Sequence, residues 1–66
     1  MSMDMKLKVK NVDIGVAASA SEPVVNLLMT EHITEGYHVT VFAPLDRAAV
    51  KALHKMLFEA EREAWP

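Results

Sequence analysis

Two histidines, His32 and His38, stand three residues either side of the centre of a short polar segment, Thr34-Glu35-Gly36, that has the composition of a turn. If that segment closes a hairpin, the two imidazoles become cross-strand neighbours, and such a pair has three chemical uses. The rings could share one metal ion, and in a two-fold dimer four imidazoles could converge on a zinc or copper site. They could instead sense pH, because two imidazolium ions this close repel and histidine charges near neutrality. The plainest reading, which outweighs the other two, is that both are ordinary polar residues on a solvated sheet face beside Thr30 and Thr40. The chain therefore predicts no resident metal or cofactor, with His32 and His38 the only residues in line for a metal role.

Three lysines, Lys6, Lys8 and Lys10, alternate with apolar residues and so fall on one face of an extended segment. They could contact phosphates, and three contacts would give weak, salt-sensitive nucleic-acid binding. No aromatic residue is interleaved to stack on bases, and lysines also guard exposed strands against edge-to-edge association, which is the stronger reading. A third set, His54, Phe58 and Trp65, recurs at helical spacing and could anchor a protein partner, since aromatic residues dominate interface centres. Ser19 and Ser21 have no base placed beside them in sequence, and the acidic residues are scattered. No catalytic pairing emerges, and the expectation is a protein that is not an enzyme. Neither of the two glycines opens a phosphate-cradling loop.

The elements that must hold these residues follow from periodicity. Met5 to Val9 alternates strictly with lysine, the signature of a half-buried strand. The parity then changes, because Val12, Ile14 and Val16 are even where Met5, Leu7 and Val9 are odd. A β-bulge near Lys10-Asn11 within one long strand is the economical expectation, with a tight turn between two short strands as the alternative. Ala17 to Pro23 reads as a connection. Val24 to Thr34 is read as a strand, although Pro23 and Gly36 could instead bound a helix.

A strand there pairs Ile33 with Tyr37, His32 with His38, Glu31 with Val39, Thr30 with Thr40, Met29 with Val41 and Leu28 with Phe42. One face then gathers Leu27, Met29, Ile33, Tyr37, Val39 and Val41, with Glu31 the exception. The other gathers Leu28, Phe42 and the histidine and threonine pairs, and such sorting is what a true register produces. For Glu31 either the register departs locally, or it lies at a rim, or it pairs with a base such as Arg47 or His54. After Pro44, Asp46 is placed to cap a helix from Arg47 to Ala64, with Leu45 stapled onto Val50. Val50, Leu53, Leu57, Ala60 and Ala64 form its apolar stripe. Residues 1–66 are thus expected to form one α+β domain, a three-stranded antiparallel sheet packed by one C-terminal amphipathic helix (β-β-β-α), with β-α-β-α as the alternative.

Composition turns that architecture toward association. A chain of 66 residues buries only about 60% of the surface its unfolded form exposes, yet 52% of its residues are hydrophobic. There is no cysteine and no Cys/His cluster, so neither disulfides nor structural zinc supplement the core, and oligomerisation is the remaining device. The expected partner is a second copy, as a homodimer, together with another protein, through Leu28, Phe42, His54, Phe58 and Trp65. The net charge of −2 gives no general attraction to nucleic acid or an anionic membrane. Met1 to Lys6 lacks the apolar core of a signal peptide, and no apolar run approaches the roughly 20 residues of a spanning helix. A soluble, cytoplasmic regulator, inhibitor or accessory protein is the expectation. A nucleic-acid-binding regulator using the lysines is the alternative, and a metal- or pH-responsive module at His32 and His38 is the third.

Overall fold

A computed structural model describes residues 2–66 as β1 (Ser2–Val9), β2 (Val12–Ser19), β3 (Glu22–Thr34), β4 (Tyr37–Leu45) and α1 (Arg47–Ala64). The strands form one antiparallel sheet in the order β1-β2-β3-β4. The expected antiparallel sheet with one C-terminal helix is present, but it has four strands rather than three. The first strand is two strands, because Lys10-Asn11 is a two-residue turn and not a bulge, and it sets Val9 opposite Val12. Lys10 takes the positive φ of 55° that reverses the chain so tightly. Odd residues of β1 then share a face with even residues of β2, which is the physical origin of the parity change.

The middle segment is a strand, so the β-α-β-α alternative falls. The connection expected over residues 17–23 also shrinks, to the turn Ala20-Ser21. β2 runs on to Ser19 and β3 begins at Glu22. Pro23 sits between the pairs Ser19–Glu22 and Ala18–Val25, where the ladder shifts register, so its missing N–H leaves no gap in regular pairing. The β3–β4 pairing follows the expected register from Leu28–Phe42 to His32–His38. At the turn it differs, because Thr34 rather than Ile33 faces Tyr37 and the register shifts between His32 and Thr34. Glu35-Gly36 closes that hairpin, with Gly36 at φ 79°, a conformation that side-chain-bearing residues rarely adopt.

These registers sort the sheet into two faces. Met5, Leu7, Ile14, Val16, Leu27, Met29, Val39 and Val41 share an apolar face, while Lys6, Lys8, Asp13, Thr30, His32, His38 and Thr40 share a polar one. Helix α1 begins at the Asp46 cap, whose carboxylate accepts a 2.8 Å hydrogen bond from the Ala49 N–H. It docks on the apolar face at the Leu45 end, where Leu45, Val50 and Leu53 line one crevice with Val16, Val25 and Leu27.

That docking is short. Only Ala49, Val50 and Leu53 of the helix are half-buried, and everything beyond Leu53 is exposed. Among the described residues no side chain is fully buried, and Leu7 and Val41 of the apolar face are 60% and 62% exposed. The radius of gyration is 13.9 Å, against about 11 Å for a compact chain of this length.

Candidate functional site

The polar face carries the histidines. β3 and β4 present His32 and His38 as a directly opposed pair with ring centroids 5.9 Å apart and planes inclined by 47°. Two registers away, Thr30 and Thr40 share a 3.0 Å hydroxyl–hydroxyl hydrogen bond, so the strand pair is laced by polar contacts at both levels. β2 adds a residue the sequence reading did not single out. Asp13 lies opposite Thr30 and diagonal to His32, and the His32 Nε2–H donates to Asp13 Oδ2 at 3.0 Å. The hydrogen bond from His32 holds the Asp13 carboxyl below its ordinary value. Positive charge on His32, Lys6 and Lys8 adds to that, while partial desolvation opposes it.

Asn11 ties the turn to the same corner. Its carbonyl accepts the His32 N–H at 2.8 Å, and its side-chain amide donates to the His32 carbonyl at 3.1 Å. The parity change at Lys10-Asn11 was the signal for Asn11 as a turn residue. Taken as a two-residue hairpin, it starts β2 at Val12, and the β2–β3 register then sets Asp13 opposite Thr30, beside His32.

This arrangement orients one imidazole against a carboxylate, but neither ring is hydrogen-bonded to a hydroxyl. The two serines that drew notice pair with each other at 2.8 Å in the Ala20-Ser21 turn, away from the histidines. Among the described residues no group of three or more His, Asp or Glu is arranged to hold a metal ion.

The lysines separate. Lys6 and Lys8 extend from the edge strand β1 on the polar face, with Lys8 directly opposite Asp13, while Lys10 is taken up by the turn. Any phosphate approaching Lys6 and Lys8 meets the Asp13 carboxylate between them and the histidines, which weakens the electrostatic case for nucleic acid.

The interface residues fall into two groups. Leu28 and Phe42 oppose each other on the polar face, where Leu28 is half-buried beside the bare Gly15 and Phe42 is exposed. His54, Phe58 and Trp65 lie together on the outer part of α1, along an open groove completed by Leu57, Ala60, Glu61 and Ala64. No strand residue lines that groove, although on their other side His54 and Leu57 still border the crevice of Val16, Val25 and Leu27. The Arg62 guanidinium sits 5.9 Å over the Phe58 ring. Glu31 is exposed at the end of the apolar face away from the helix, the rim position, and pairs with neither Arg47 nor His54.

The larger uncovered apolar area is on the helix's own side of the sheet, not the side of Leu28 and Phe42. One short helix docks at one end of that face and leaves the rest open. In comparisons with known proteins, no family model, no curated protein and no solved structure matches the chain.

Proposed function

We propose that this chain is a non-enzymatic interaction module that self-associates as a homodimer and works in the cytoplasm as a regulator, inhibitor or accessory protein by binding a macromolecular partner, in first place another protein. The observation that carries the reading is the surface a single chain leaves open. It exposes 5889 Å², whereas a compact monomer of 7.3 kDa exposes about 4,200 Å². The surplus of about 1,700 Å² exceeds the roughly 800 Å² per partner of a standard interface and falls in the range of obligate dimers. Apolar side chains make up much of it, including Met5, Leu7, Val41, Leu57 and Trp65. Among the described residues no helix is long and apolar enough to cross a membrane.

Molar mass by light scattering across a concentration series tests the reading. Twice the chain mass at micromolar concentration is expected, and a clean 7.3 kDa species throughout would overturn self-association. Binding to nucleic acid through Lys6, Lys8 and Lys10 is separated by replacing all three with Gln. Unchanged retention on DNA and RNA at low salt is expected, and lost retention would move the function to that strand.

A further inference from the structure

We infer that the occupant of the open apolar face is the outer half of helix α1 from a second copy of this chain, exchanged reciprocally about a two-fold axis. This rests on the self-association proposed above and specifies its geometry. Two surfaces of one chain lack partners. One is the apolar face of the sheet away from the docked end, carrying Leu7, Met29 and Val41. The other is the arm of α1 beyond Leu53, carrying Leu57, Phe58 and Trp65, with Leu57 62% and Trp65 77% exposed.

Within one chain they meet only at the docked end, where His54 and Leu57 reach the crevice of Val16, Val25 and Leu27, while the groove that carries Phe58 and Trp65 is lined by no strand residue. Between two chains they can cover each other. From Leu53 to Trp65 the arm extends about 18 Å at 1.5 Å per residue, enough to cross four strands, which span about 14 Å at their usual spacing. A two-fold axis makes such a contact twice, arm to face and face to arm, so one interface closes both surfaces of both chains.

The area agrees with this. A surplus of about 1,700 Å² per chain is about twice the roughly 800 Å² that a standard interface takes from each partner, in keeping with two contacts per chain, one by the arm and one by the face. The chain's 13.9 Å radius of gyration is also that of a compact domain twice its length, about 14 Å, which is the outline of a protomer reaching across its partner. The polar face with Asp13, His32 and His38 then remains outward on both sides of the dimer.

Because the chain has no cysteine, single cysteines report the geometry directly. A Leu7→Cys chain mixed with an Ala64→Cys chain and treated with a short bis-maleimide should give the mixed dimer as the main product. Thr40→Cys, on the polar face, mixed with the same Ala64→Cys chain should give almost none. A wild-type dimer by light scattering that cross-links through Thr40→Cys and not Leu7→Cys would overturn the exchanged geometry while leaving self-association standing. A wild-type monomer would overturn both.

The single Trp65 supplies a measurement on the unmodified chain, which decides the matter even if the cysteine variants do not fold. Its emission should shift to the red on dilution, as the dimer dissociates and the indole returns to water. A dimer whose Trp65 emission is already that of exposed indole, and does not move on dilution, would overturn the placement of the arm.

Discussion

At the residue scale, two glycines separate conformational need from mere smallness. Gly36 holds φ 79° in the β3–β4 turn, where an added Cβ meets no atom within 4 Å but the backbone itself disfavours an L side chain. Gly36→Ala is expected to lower stability by about 1–2 kcal/mol, read as a fall in the urea midpoint. Gly15 lies in a regular strand, where a Cβ would meet Leu28 Cβ at 3.9 Å, an ordinary contact, so Gly15→Ala at the same protein concentration should be neutral or slightly stabilising.

The Asp13–His32 pair adds a pH dependence whose sign follows from the depressed carboxyl. The folded chain holds the Asp13 proton less tightly than the unfolded chain does, whose reference lies near 3.8. The pair's contribution is therefore present above that value and is lost as pH falls through the lower, folded one. Asp13→Asn should reduce the urea midpoint near neutral pH and match wild type in acid below the carboxylate range. Both groups touch water, at 50% and 26% side-chain exposure for His32 and Asp13, so the difference is small and salt-sensitive. A gap between wild type and Asp13→Asn that persists unchanged into acid would show that the ion pair is not its cause.

At the element scale, helix α1 depends on its cap more than its packing suggests. Only its first turns touch the sheet, no acidic residue occupies the first turn to favour the N-terminal dipole, and the exposed Asp46 carboxylate receives the Ala49 N–H. Asp46→Ala is expected to cost about 1 kcal/mol, measured by helical circular dichroism against urea. The helix was legible because its cap, its period of 3.6 and its length all agree, and its bounds from Arg47 to Ala64 follow. The β3–β4 register was legible because two strands sorted independently into the same faces. The β1–β2 hairpin was legible only as the second choice, since neither Lys10 nor Asn11 is the glycine that marks a tight turn, and a bulge accounts for the same parity. Asp13 went unseen, because its place beside His32 depends on pairing β2 with β3 across a turn that composition had made look like a longer connection.

At the scale of the whole molecule, the proposed self-association ties stability to concentration. If the apolar face is closed by a second copy, the folded state gains stability with concentration, and Tm by calorimetry should rise steadily along a dilution series read upward. A Tm independent of concentration would overturn the proposed self-association. Capping and turn variants are for the same reason compared at one fixed concentration.

By itself the sequence determined what is local or periodic. The alternation of β1, the cap and stripe of α1, the opposition of His32 and His38, and the excess of apolar residues over what a chain of 66 can bury all follow from spacing and composition. The tertiary structure alone decided which side of the sheet the helix takes and how little of it the helix covers. An apolar stripe states that a helix has a face to bury. How far that face reaches along the sheet is set by the way the chain leaves β4 at Leu45-Asp46, and that exit leaves the helix residues beyond Leu53 exposed.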